Sequence, residues 1–316
     1  MLALLLRALY GFQLMCGALL GSYQAVLSAQ HGDGVLSLLW VPLTALALPL
    51  VLQFLVILTS MIQSGTGGAP AVWWRVLWAE YKAAVLIFML RQPWPRGPGV
   101  VQTPLNDVPN RPAHASVPVV LVHGFVCNHR VWDDMALALR KAGHPVLAVD
   151  LEPLFGSIDG YASVIDAAVV RLQMETGAPK VALVGHSMGG LAIRAWLRTL
   201  KPARLAKVAG IITLGTPHQG TRIPQPVATT NGVQMGWHSD WVQALQASEG
   251  DSQRALMHIA LNLNDNICFP QAEQLLPGAP VTEFQGIGHL EMCLNPRVID
   301  WTCQQLASLT RAGAQL

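Results

Sequence analysis

Apolar residues are unevenly spread along this chain. From Val35 to Thr59 no charge interrupts the sequence, and a helix of that length, rising about 1.5 Å per residue, crosses a hydrocarbon core of about 30 Å. Pro42 and Pro49 fall inside it, where neighbouring helices in a membrane can re-satisfy the freed carbonyls. Ala8 to Ser28 is also uncharged, though Gln13, Ser22, Gln24 and three glycines dilute it. Residues 1–62 are therefore expected to form a membrane anchor of two transmembrane helices. A cleaved leader is the weaker reading, since no clean A-x-A site follows.

Between Ala71 and Leu90 the pattern differs. Trp73, Trp74, Trp78 and Tyr81 alternate with Arg75, Glu80 and Lys82. Each such charge costs about 2.5–3.5 kcal/mol at a bilayer centre, so this helix is expected to lie in the interface or to pack on the domain that follows. Seven prolines between 92 and 118 then read as a semi-rigid linker. Residues 63–116 are thus expected to be an interfacial helix and Pro-rich linker, with a catalytic domain over 117–316.

From Val117 onward short apolar runs alternate with helical spacing. The runs at 117–125, 145–151, 180–187, 208–216, 257–263 and 280–289 predict strands, and those without polar alternation are expected to be buried on both faces. Val131, Met135 and Leu139 mark one intervening helix and Ile158, Tyr161, Ile165, Ala168 and Leu172 another. The fold class is α/β, a mostly parallel sheet with helices on both faces, preceded by N-terminal transmembrane helices.

Composition sharpens this picture. Hydrophobic residues make up 52% and charged residues 12%, about half the usual charged share, which fits a chain partly in lipid. A net charge of +2 without a basic run gives no phosphate-tracking surface, so nucleic acid is not an expected partner. Cys16, Cys127, Cys268, Cys293 and Cys303 show no C-x-x-C spacing and are expected to be mostly free.

The candidate chemistry starts at Gly185-His186-Ser187-Met188-Gly189, a G-x-S-x-G set between a predicted strand and a predicted helix. A serine on so sharp a turn is strained, and side chains two residues to either side would collide with it, hence Gly185 and Gly189. A hydroxyl of ordinary pKa needs a base. Of ten histidines, His289 stands out because it lies between a strand-like run and the last helix, whereas His123, His186 and His218 read as structural. A carboxylate must orient that base. In the order serine, acid, histidine the candidates are Asp240, Glu249, Asp251, Asp265, Glu273 and Glu283, and Asp265 is favoured at the carboxyl end of a predicted strand. The oxyanion requires two N–H groups, assigned to Met188 and to Phe125 in the turn after the first strand. The weakly charged segment 220–250, with Met235, Trp237 and Trp241, occupies the place of an apolar cap and acyl pocket.

VLVHGF, VALVGHSMGG, LGTPHQGT, NDNICFP and GIGHLEM, in this order over residues 117–310, resemble the lipase and esterase branch of the α/β-hydrolase superfamily, and bacterial triacylglycerol lipases most closely. The resemblance implies a Ser187, Asp265, His289 triad with Phe125 and Met188 as oxyanion donors. It implies a carboxylic-ester hydrolase working through an acyl-enzyme. No cofactor or metal ligand set is expected from this sequence, on which the calcium site of that branch cannot be placed. The expected substrate is a lipid or another hydrophobic acyl ester, and the other expected partner is the bilayer. Acyl transfer by the same triad, or a non-catalytic membrane scaffold, are the alternatives. Arg7 before the first span and Arg75, Lys82, Arg91 and Arg96 after the second favour an inner-membrane hairpin with the catalytic domain on the cytoplasmic side.

Overall fold

A computed structural model describes residues 1–31, 34–97, 99–105, 116–224 and 228–313. Two apolar helices open the chain, α1 (Leu2–Gln30) and α2 (Trp40–Gln63), joined through a 3₁₀ turn at Gly34–Leu39. They pack against each other because Gly17 and Gly21 of α1 bring the backbones together: a Cβ on Gly17 would stand 2.7 Å from the Ala45 Cα. Thr44 Oγ1 donates to the Gly17 carbonyl at 2.7 Å. Their outward faces, with Leu4, Phe12, Leu19, Leu46 and Val56, are exposed and apolar. Pro49 lies inside α2.

Next comes α3 (Pro70–Ala84), which runs on into a π-helical turn at Val85–Arg91. Val76, Leu77, Ala83, Ala84 and Ile87 are buried in the same apolar cluster as Val119, Leu121, Trp132 and Ile287. The opposite face leaves Trp74 and Trp78 exposed, and Trp78 and Tyr81 meet Phe54 of α2 at 5.4 and 5.5 Å between ring centroids. Of the proline-rich stretch, 98 and 106–115 lie outside the described residues, as do 225–227 of the expected cap.

Among the described residues six strands occur, all within 117–316: β1 (Val119–Val122), β2 (Val146–Val149), β3 (Val181–His186), β4 (Val208–Leu214), β5 (Met257–Asn262) and β6 (Val281–Phe284). They form one sheet in the order β2-β1-β3-β4-β5-β6, every pairing parallel. The register puts Val122 beside both Val149 and Gly185. Every residue of β1, β2 and β3 is buried, as two-sided cover by helices requires. At the sheet edge β6 is shorter than its apolar run suggests, because the chain turns away at Gly286 with φ 72°.

The first apolar face packs α3, α4 (Asp133–Lys141) and α11 (Pro296–Gly313) on the sheet. The second packs α5 (Ala162–Thr176), α6 (Met188–Arg198), and residues of α8 (Thr230–Gln234) and α9 (Asp240–Ala247) or next to them. Two single turns, α7 (Pro202–Leu205) and α10 (Asp251–Arg254), lead into β4 and β5.

Candidate active site

β3 ends at His186 and α6 begins at Met188, leaving Ser187 alone on the turn with φ 55° and ψ −129°. Few non-glycine residues tolerate a positive φ, and the strain lifts the hydroxyl clear of both elements. A Cβ on Gly185 would lie 2.7 Å from the Gly190 nitrogen and 2.8 Å from Ile193 Cδ1, and one on Gly189 would collide with the Val122 carbonyl. The elbow is tied to the sheet by the Ser187 N–H, which donates to Leu214 O at 3.0 Å.

The loop after β1 passes directly over this serine: a Cβ on Gly124 would sit 2.7 Å from Ser187 Cβ and 3.3 Å from its Oγ. His123 stiffens the loop, donating from Nδ1 to Gly124 O at 2.8 Å while its Nε2 accepts from the Leu151 N–H at 3.0 Å. Phe125 follows, half-buried, with Phe155 6.0 Å away. Met188 is buried at the start of α6.

Asp265 leaves the carboxyl end of β5. Its Oδ1 accepts from the N–H groups of Ile267 and Cys268 at 2.8 and 2.7 Å, which closes the loop and aims Oδ2 at His289 Nδ1, 2.8 Å away. Both side chains are buried. Burial alone disfavours a charged ring, but the Asp265 carboxylate and Cys268 together hold His289 well above its ordinary pKa. The Cys268 thiol lies beside both the His289 ring and the Ser187 hydroxyl. The donor atoms of Asp265, Cys268 and His289 lie within 4.8 Å of one another, and the Asp265–His289 hydrogen bond commits two of the three to each other.

Two other candidate histidines, His186 and His218, are committed to hydrogen bonds elsewhere. Burial holds His186 well below its ordinary pKa, and its neutral ring donates from Nε2 to His289 O at 3.0 Å. His218 bonds Thr213 Oγ1 through Nε2 at 3.0 Å. Among the other candidate acids, Glu249 pairs with the buried Arg194 at 2.6 and 2.9 Å. Of the cap residues, Met235 is buried in the cluster that contains Met188. The half-buried Trp241 donates its indole N–H to Asp159 Oδ2 at 2.9 Å, and Trp237 stacks on His238 at 4.2 Å with the Arg222 guanidinium 5.0 Å from its ring.

Three groups near the site escape a sequence reading. Asn266 Oδ1 accepts from the His289 N–H at 3.1 Å, while its Nδ2 donates to Ser60 Oγ of α2 at 2.8 Å. Cys268 stands beside the histidine. Glu80 of α3 is fully buried and accepts from the N–H groups of Leu290 and Glu291. The one signal for Glu80 was a lone acid among the tryptophans of that helix.

An elbow serine after β3, an acid after β5 and a histidine after β6 in a parallel sheet define an α/β hydrolase. Residues 119–306 match the model of the alpha/beta hydrolase family, and the chain belongs to that family. Curated relatives include a triacylglycerol lipase of Pseudarthrobacter phenanthrenivorans, 34% identical over 113 residues, 33% of this chain and 34% of that protein. A triacylglycerol lipase of Burkholderia plantarii is also 34% identical over 113 residues, 33% of this chain and 30% of its own length. The chain thus spans about a third of the length of these relatives. Among solved structures, the mature form of a Bacillus licheniformis lipase superposes with a TM-score of 0.56 at 18% identity, covering 67% of this chain and 99% of that one. Aspergillus fumigatus lipase B gives 0.56 at 15% identity, covering 81% and 75%. These similarities establish the fold.

Proposed function

We propose that this protein is a membrane-tethered serine hydrolase that cleaves carboxylic esters of lipids or other hydrophobic acyl substrates. The observation that carries the reading is the buried Asp265–His289 hydrogen bond of 2.8 Å beside a serine at φ 55°. Ser187 Oγ attacks the ester carbonyl carbon while His289 Nε2 takes its proton, and the imidazolium is stabilised by Asp265. The Phe125 and Met188 N–H groups receive the oxyanion. Collapse breaks the bond to the alcohol, which leaves with the proton from Nε2. Water then attacks the acyl-serine by the same steps and releases the acid. The named activities of the lipase relatives support an ester as the substrate.

The anchor supports a substrate drawn from the bilayer. Leu2 and Leu6 of α1 pack on Leu154, with Val126 alongside, and Ser60 near the end of α2 accepts from Asn266. Val126, Leu154 and Asn266 follow β1, β2 and β5, so both legs of the hairpin meet the sheet on its catalytic side. A membrane holding α1 and α2 would face the mouth of the site, where acyl chains are concentrated.

Labelling by a fluorophosphonate probe tests the mechanism. The full-length protein is expected to be labelled and Ser187→Ala not to be; an unlabelled folded parent refutes the serine mechanism.

A further inference from the structure

Helix α3 precedes the family-matched region, yet it delivers a carboxylate to the back of the catalytic histidine. Glu80 Oε1 accepts from the Leu290 N–H at 2.8 Å and Oε2 from the Glu291 N–H at 3.0 Å. These are two of the donors that a first helical turn leaves without partners, here the 3₁₀ turn Leu290–Cys293. On the other side of His289, Gly288 presses on the same side chain: a Cβ there would lie 2.7 Å from Glu80 Cβ and 2.8 Å from its carboxyl carbon. One side chain therefore bonds the peptide unit after His289 and packs closely against Gly288 before it.

The placement is costly, because a fully buried carboxylate loses its water. Burial pushes the Glu80 carboxyl up to about 7, against the two N–H donors and the nearby His289, which favour its charged form. The groups facing it are His289 and Asp265 from the catalytic loops and Glu291 and Cys293 from the following turn. Among the described residues no Lys or Arg forms an ion pair with it. The cation that can compensate a charged Glu80 is the His289 imidazolium.

We propose that Glu80 is a positioning residue for His289: it fixes the turn that carries the ring, and its negative charge favours the imidazolium formed when Ser187 gives up its proton. This makes α3 part of the catalytic unit and not a mere tether. The inference rests on the reading of Ser187 and His289 as nucleophile and base.

The test is Glu80→Gln in the full chain, with hydrolysis of p-nitrophenyl butyrate followed across pH and rates normalised to sites labelled by fluorophosphonate. The amide nitrogen cannot accept the second N–H, so the ring shifts. The expected loss is roughly 10- to 100-fold in kcat, with KM unchanged. Removing an anion beside the ring disfavours imidazolium, so the acid limb of kcat/KM moves to lower pH. A purely structural role would lower the number of labelled sites without moving that limb. Parental kcat per site with a parental limb overturns the proposal. If Glu80→Gln does not fold, Glu80→Asp replaces it, keeping the charge but withdrawing the carboxylate by one methylene. Reduced kcat with an unmoved limb is then expected, and parental kcat overturns the proposal. A parent that is not labelled, or an active Ser187→Ala, refutes the underlying serine mechanism; a labelled parent with a kinetically silent Glu80→Gln refutes only the role of Glu80.

Discussion

Exchanging Asp265 for Asn replaces one carboxylate oxygen by an NH₂ group, and the surrounding hydrogen bonds dictate the consequence. The Ile267 and Cys268 N–H groups, 2.8 and 2.7 Å from Oδ1, both need an acceptor. The amide oxygen must stay at that position, which turns the NH₂ toward His289 Nδ1, where Oδ2 stands at 2.8 Å. Facing a donor, Nδ1 must accept, so the ring proton moves to Nε2. That is the atom required to take the proton from Ser187, and the imidazolium loses its carboxylate as well. The expected fall in kcat is about 10³- to 10⁴-fold, or about 4–5.5 kcal/mol, with the loop and melting temperature nearly unchanged. Glu249→Gln is the control from the rival list of acids. It strips the anion from Arg194, whose side chain is fully buried, so stability should fall by about 3–5 kcal/mol while kcat per folded molecule stays near parental. Turnover per fluorophosphonate-labelled site and thermal melting separate the two outcomes. Parental kcat in Asp265→Asn, or lost kcat at full labelling in Glu249→Gln, would show the acid assignment to be wrong.

Two further expectations concern the N-terminal segment. The linker suggests that a chain starting near Val100 keeps a working catalytic core, but deletion of Val76, Leu77 and Ile87, all fully buried, removes roughly 5–9 kcal/mol of apolar burial, comparable with a whole domain's stability. That truncation is expected to aggregate or to hydrolyse no p-nitrophenyl butyrate, whereas one starting near Gly67 stays active; an active, soluble chain from Val100 would contradict the packing of α3. Arg7 before the first span and Arg75, Lys82, Arg91 and Arg96 after the second put the excess of positive charge on the side that carries the hydrolase domain, so the domain is expected in the cytoplasm. Protease added outside intact spheroplasts should then spare it, and digestion without lysis would reverse the assignment.

Much of this molecule was legible from local pattern. Buried parallel strands read as unbroken apolar runs because both faces are covered, and the elbow reads from Gly185 and Gly189 because a close approach of backbones excludes side chains wherever it occurs. The apolar helices α1 and α2 were visible for the same reason, since a long uncharged run has few ways to satisfy its backbone. The run at 280–289 misled, because a strand at the sheet edge is cut short by a turn at Gly286 that no hydrophobic period signals. Asp265 could be ranked among six acids only by its place after a strand.

Local pattern was enough for most of the elements and for the elbow around Ser187, both products of interactions within a few residues. Which distant groups surround His289 depends on how whole elements pack. The strand order sets the ends of β3, β4, β5 and β6 along one edge of the sheet, which brings Asp265 within hydrogen-bond reach of the histidine and leaves Glu249 to Arg194. The docking of α3 carries Glu80 across 210 positions to the Leu290 N–H, and α2 places Ser60 against Asn266 across 206. Such pairings arise from the packing of whole helices on a sheet, where burial of an apolar face selects the orientation and the polar contacts follow from it.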